Sequence, residues 1–298
     1  MTTYTSSSTS NLGGQGLRKK SSRPRDIFNL VMTSLASLCM VITLVPLFLV
    51  IAFVVVQGIG AISPGLLTQL PPPPGLEGGG IGNALLGTII VVAIATAISV
   101  PFGVMAAVYL SEFSKGNALA EWVRFFTNVL SGVPSIIAGV FVYALLVVTG
   151  ITGYAAMAGG VALAVLMLPT IIRTTDEALN IIPQDIRWAS VGVGASRYQT
   201  VLQIVLPAAV PSIITGVTLA IARAAGETAP LIFTALFSQF WPSGLFDPIA
   251  TLSVLVYNFA IVPFKPQQEL AWAGSLILVL LVLITSITTR VVTHQKKF

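Results

Sequence analysis

Residues 186–230 read IRWASVGVGASRYQTVLQIVLPAAVPSIITGVTLAIARAAGETAP. The first half of this stretch is a polar, charged interruption in an otherwise apolar protein. The second half is an apolar run that carries a cation, Arg223, and an anion, Glu227. In the first half, Gly194 lacks a Cβ and can separate two short helices at a sharp angle. Pro207 can occupy the first turn of the helix that follows. The expectation is a helix-turn-helix with polar ends, held at a membrane surface and joined directly to a spanning helix. Such a short rigid element suits a peg inserted into a cleft on another protein, and the competing reading is an ordinary connecting loop.

The run from Pro207 to Leu236 is long enough to cross a bilayer. A charge near the centre of such a helix costs about 2.5–3.5 kcal/mol, so two unpaired charges would strain the span. Arg223 and Glu227 lie four residues apart, which places them on one helical face, one turn from each other. They can pair with each other or share a polar cavity. Either they line a path for a charged solute, or they form an ion pair that fixes helix packing.

Composition places both halves in a membrane. Of 298 residues, 55% are hydrophobic and 8% charged, and the mean hydropathy is +0.93. Soluble domains carry about 25% charged residues. The single cysteine, Cys39, lies in the first apolar segment, so an intrachain disulfide and a cysteine metal cluster are excluded. The single histidine, His294, sits in the C-terminal tail, and no zinc site is expected. The net charge of +5 does not point to nucleic acid, because the basic residues cluster beside apolar spans.

Residues 1–26 are rich in Ser, Thr and Gly and end in Arg18, Lys19, Lys20, Arg23 and Arg25. This composition predicts a disordered basic cytoplasmic tail, followed by a membrane domain over 27–298. The first apolar run exceeds the roughly 7–15 residues of a signal core, so an uncleaved span is expected over about Phe28–Gln57. Pro71 to Pro74 and Gly78 to Gly80 make the next segment an outer loop. Further spans are expected over about Asn83–Leu110, with a kink at Pro101 and Gly103, then Val123–Val148, interrupted at Gly132 and Pro134, and Tyr154–Ile172. Ala155, Ala158, Gly159 and Gly160 should let the fourth span approach its neighbours closely. The charged loop 173–206 follows, then the Arg223 span. An outer segment, 238–269, has an apolar middle too short to cross. A last span covers about Leu270–Val292. The result is an all-α integral membrane protein with six transmembrane helices. Of the 15 Lys and Arg residues, 13 then fall on the cytoplasmic side with both termini, Lys265 lies outside and Arg223 within a span.

The motifs in residues 186–230 resemble a known family. Gly194, nine residues, Ile204, one residue, then Leu206 and Pro207 match the EAA loop of bacterial ABC importer permeases, the binding-protein-dependent transport permeases. Ala189 and Ser190 stand at the family's two Ala positions, and Trp188 replaces the family's Glu with an apolar ring. The string IARAAGETAPLIFTALFSQFWP, with PIATLSVLVYNFA and ELAWAGSLIL downstream, resembles more narrowly the A-type permease subfamily of phosphate-specific importers. This likeness covers about the last two-thirds of the chain.

The resemblance implies a type I ABC importer permease fold in a bacterial inner membrane. It also implies a second, C-type permease beside this chain, two copies of a separate ATPase, and an extracytoplasmic phosphate-binding protein. Trp188, Ala189, Ser190, Gly194, Ile204, Leu206 and Pro207 are then the coupling residues, and Arg223, Glu227 and Thr228 line the translocation path. Arg223 suits an oxyanion because its planar guanidinium stays charged and matches the anion's geometry. Glu227 would hold Arg223 when no anion is present. ATP and Mg would belong to the partner ATPase and no cofactor to this chain, which contains no Gly-x-x-x-x-Gly-Lys-[Ser/Thr] string. Phosphonate, molybdate or sulfate as substrate, and a phosphate-sensing membrane scaffold, remain the competing functions. A secondary transporter would need an internal inverted repeat, which the sequence does not display.

Overall fold

The structure is a computed structural model that describes residues 24–114 and 117–294, with side chains to 291. Most of the basic tail, residues 1–23, together with Lys115, Lys296, Lys297 and the side chain of His294, lies outside the described residues. Among the described residues the secondary structure is all helical. Packing divides the chain into two units, 1–53 and 54–298. The first holds most of helix α1 (Pro24–Ile59), which begins at Pro24, inside the expected tail, and exposes apolar side chains along its length.

The second unit is built on α2 (Gly82–Val108), α5 (Ala156–Asn180) and α8 (Leu206–Gly226). Their contact is lined by Val91, Ala95, Leu163, Ala164, Met167, Ile171, Ala220 and Ala224, all buried. Between lipid-facing helices there is little hydrophobic driving force, so small residues that let backbones meet supply the packing. The stripe Ala155, Ala158, Gly159 and Gly160 behaves as expected. A Cβ on Gly160 would sit 2.4 Å from Ile94 Cγ2 on α2.

The closest approach is between α2 and the segment 249–252. A Cβ on Gly87 would lie 1.9 Å from the Ala250 carbonyl oxygen. One residue on, Thr88 Oγ1 accepts a hydrogen bond from the Leu252 N–H at 2.8 Å. That bond satisfies a free donor at the start of α10 (Leu252–Ala260), whose Leu252, Ser253, Val254, Leu255 and Phe259 are buried. The short apolar stretch of the outer segment is therefore a helix packed into the protein, as its length required. The proline-rich loop is pinned too. Buried Gln267, in α11 (Lys265–His294), donates from Nε2 to the Pro73 carbonyl at 3.0 Å and accepts from the Gly75 N–H at 3.3 Å.

Several helix ends differ from the sequence expectation. The third span is two helices, α3 (Ala118–Gly132) and α4 (Ser135–Val142, continuing as a π-helical turn to Val148), bent by 108° at the Gly132 to Pro134 break. Among the described residues five helices are long and apolar enough to cross a membrane, or six when this bent pair is counted as one span. Helix α2 keeps its hydrogen bonding past Pro101 and closes in a widened π-helical turn, Tyr109–Phe113. Helix α5 extends about two turns beyond Ile172, to Asn180, so residues 173–180 of the expected loop are helical.

Replacing Gly87 by Ala should lower the detergent thermal midpoint by about 5 °C or more, since a backbone clash of this kind costs on the order of 2 kcal/mol. Gly132→Ala, where an added Cβ meets nothing within 4 Å, should leave the midpoint nearly unchanged. Equal midpoints for the two variants would remove the packing role assigned to Gly87.

Candidate functional site

The expected helix-turn-helix is present. Helix α6 (Gln184–Gly192) ends in a Schellman motif. Gly194, at φ +94°, donates its N–H to Val191 O at 2.9 Å, and Ala195 donates to Ser190 O at 3.1 Å. The left-handed backbone explains the glycine, since an added Cβ would meet open space. Ser196 then caps α7 (Arg197–Thr200). Its Oγ accepts from the Gln199 N–H, and its own N–H donates to Gln199 Oε1, a reciprocal capping box. Helix α7 runs without interruption through a π-helical turn, Val201–Val205, into α8. The widened turn, closed by the Leu206 N–H on Val201 O, precedes Pro207, whose missing N–H and ring disfavour a regular α turn.

The expected coupling residues do not all face one way. Trp188 is 66% exposed, and Val191, Val193 and Tyr198 are exposed beside it, giving an apolar rim on the peg. Ala189, Ile204 and Pro207 are also exposed. Leu206 is half-buried against Leu179, Val205 and Ala209. Ser190, expected to face a partner, is buried, and its Oγ lies 2.9 Å from Thr200 Oγ1. It fastens α6 to α7.

The strongest polar contact of the region joins residues the sequence reading kept apart. Arg187 of α6 donates from Nη2 to Glu112 Oε1 at 2.6 Å and from Nε to Glu112 Oε2 at 3.2 Å. Its remaining donors reach the carbonyls of Ile182 at 2.6 Å and Leu179 at 2.9 Å. The two side chains are 13% and 7% exposed. Arg197 adds a hydrogen bond to the Glu112 carbonyl and lies over the Phe113 ring. Both halves of the peg are thus bolted to the end of α2. A bidentate Arg–carboxylate contact is geometrically specific, and its 75-residue separation left no local sequence signal.

Arg223 and Glu227 are brought together, but not inside a helix as expected. Helix α8 stops at Gly226, and Glu227 is extended at φ −70°, ψ 128°. Arg223 therefore occupies the last turn, where a cation complements the helix dipole. Its Nε is 3.5 Å from Glu227 Oε1, with the side chains 65% and 17% exposed. The Glu227 carbonyl accepts from Ser253 Oγ of α10 at 2.8 Å. Thr228 heads α9 (Ala229–Thr234), and its carbonyl accepts from the N–H groups of Leu231 and Ile232. The pair borders a narrow niche lined also by Leu166, Met167 and Thr170 of α5. Its volume of about 10 Å³ holds about one water.

The sequence profile of the family described as binding-protein-dependent transport system inner membrane component matches residues 99–297. The chain belongs to this family. Its members are inner membrane proteins by that description, in keeping with the membrane-length helices. Among similar relatives in this family is the phosphate transport system permease protein PstA of Yersinia pestis, 44% identical over 243 residues, covering 82% of each chain. The protein of the same name from Haemophilus influenzae is 41% identical over 273 residues, covering 92% of this chain and 96% of the other. The fold is that of solved ABC importer permeases. A chain of an alginate ABC transporter superposes with a TM-score of 0.63 at 13% identity, over 89% of this chain and 94% of that one. One from the inward-facing methionine ABC transporter MetNI gives 0.57 at 21%, over 73% and 94%. The type I importer permease fold expected from the sequence is therefore present in this family member.

Removing one partner of a buried ion pair costs about 3–5 kcal/mol. Glu112→Gln should therefore raise the rate of tryptic cleavage after Arg197 by at least about tenfold, the ratio corresponding to 1.4 kcal/mol of local opening. An unchanged cleavage rate would show that α6 and α7 are held by other contacts.

Proposed function

We propose that the chain is one of two permease subunits of an ATP-driven importer for inorganic phosphate. The observation that carries this reading is the similarity along most of the chain to relatives named as phosphate transport permeases. The geometry supports it. A guanidinium stands at a break in a membrane helix, loosely held by one carboxylate at 3.5 Å, and can exchange that partner for an oxyanion. The niche of about 10 Å³ is too small for the ion, so binding within it accompanies a conformational change. Arg223, Glu227 and Thr228 are the proposed path residues, and the returning carboxylate helps release the anion.

The peg is proposed to dock on a separate ATPase, which binds ATP and Mg. Trp188, with Val191, Val193 and Tyr198, supplies an apolar contact where the family has a carboxylate. Movement of the ATPase reaches α8 through Pro207 and α2 through Arg187 and Glu112. Both termini lie in the cytoplasm, as 13 of 15 basic residues require. A second permease completes the path, and an extracytoplasmic binding protein delivers phosphate.

The deciding experiment is uptake of labelled phosphate in cells lacking their own high-affinity system, with partners co-expressed and phosphonate, molybdate and sulfate as competitors. ATP-dependent phosphate uptake should be abolished by Arg223→Gln while the complex still assembles. Uptake of another oxyanion instead would overturn the substrate, and an assembled complex that moves nothing would favour a sensing scaffold. In the same assay Trp188→Glu should be tolerated. Gly194→Val, which places a β-branched residue at positive φ at a cost of about 1–2 kcal/mol, should assemble but lose uptake. Normal uptake by Gly194→Val would remove the coupling role of the turn.

A further inference from the structure

Helix α5 presents Leu166, Thr170, Arg173 and Glu177 on one accessible face, at spacings of four, three and four residues. Leu166 and Thr170 border the Arg223 niche. Arg173 and Glu177 border a different cavity, of about 310 Å³, between the last turns of α5 and the middle of α3, lined also by Arg124, Thr127, Asn128 and Asp176. The face leads from one charged site to the other, toward the end of the bundle that carries α6.

The charges of this cavity are incompletely satisfied. Arg173 pairs with Glu177 at 3.1 Å in the open, a contact worth little. Arg124 spends Nη2 on the Leu110 carbonyl at 3.1 Å and stays 3.8 Å from Asp176 Oδ1. That oxygen is shielded from solvent and has no hydrogen-bond partner among the described residues. A buried acceptor left unpaired costs about 1–3 kcal/mol, so a donor that reaches it on a small rotation of the Asp176 side chain, itself 25% exposed, gains that bond.

We propose that this cavity is a second, low-affinity station for phosphate after Arg223. The proposal rests on the phosphate reading above. Arg124 and Arg173 hold the anionic oxygens, and Asp176 Oδ1 accepts the hydrogen bond of a P–OH group. Phosphate near neutrality keeps such a donor and sulfate does not, so the carboxylate discriminates between two tetrahedral oxyanions. A site built to bond a donor rejects the analogue that lacks it. Two carboxylates against two guanidiniums leave the lining nearly neutral, which keeps binding weak and release fast. The volume of about 310 Å³ admits the ion with part of its hydration.

The test is protection of a cysteine at the rim. Asn128→Cys, exposed in the structure, is placed in a Cys39→Ser background, and the whole complex with its permease and ATPase partners is studied in inside-out vesicles. Millimolar phosphate should slow modification by a charged thiol reagent several-fold, and equal sulfate should not. Arg124→Gln should remove the protection, Arg124→Lys should keep part of it, and Asp176→Asn should abolish the preference for phosphate over sulfate. Assembly of each variant is checked by co-purification with the second permease. No protection by phosphate in an assembled complex, or equal protection by the two anions with Asp176 intact, overturns the proposal. Such a failure is distinct from failure of the phosphate reading, which appears as absent phosphate uptake by the unsubstituted complex.

Discussion

Close backbone approach is the constraint on which the second unit depends. In hydrocarbon, burial of apolar side chains between helices gains little over contact with lipid, so van der Waals contact and internal hydrogen bonding hold helices together. Gly87 admits the Ala250 carbonyl, Gly160 admits Ile94, and Gly216 admits Thr174 of α5, whose Oγ1 would lie 2.3 Å from an added Cβ. Each contact brings α2, α8 or the segment before α10 against a neighbour. Once they meet, the break at Glu227 is held inside the protein by Ser253 Oγ of α10, and non-helical backbone at membrane depth is tolerated only in protein or beside a cavity.

The same packing sets where force can travel. The peg of α6 and α7 carries its apolar rim outward and Arg187 inward, the reverse of a solvated loop. Arg187 spends its donors on Glu112 and two carbonyls, so the peg moves with the end of α2 rather than swinging on the Gly194 turn. Helix α7 continues into α8 without a loop. A displacement of the peg therefore reaches both helices that flank α5, whose accessible face carries Arg173 and Glu177 and borders the niches of Arg223 and Arg124.

Those charged positions share a pattern. Arg223 with Glu227, Arg173 with Glu177, and Arg124 with Asp176 each set a guanidinium near a carboxylate at 3.1–3.8 Å with substantial exposure of at least one side chain. The contrast is Arg187 with Glu112, short and buried. Loose pairs can open for a competing anion at little cost, whereas the buried pair leaves an uncompensated charge if broken. The same pair of groups is thus easily opened or held fast, and depth of burial separates the two.

The sequence alone determined the membrane class, the positions of the apolar spans, the peg and its Gly194 turn, because run length, charge placement and a left-handed glycine are local properties of the chain. It also placed Arg223 and Glu227 within reach of each other. Only the tertiary structure decided that α8 ends at Gly226, that the third span bends by 108°, that Ser190 faces inward, and that Arg187 grips Glu112. Each of these depends on residues elsewhere in the chain, from 10 positions away for Ser190 and Thr200 to 75 for Arg187 and Glu112, with Ser253 bonding the Glu227 carbonyl and Gly139 set against Pro230. Local periodicity holds no record of contacts that form only when distant helices meet.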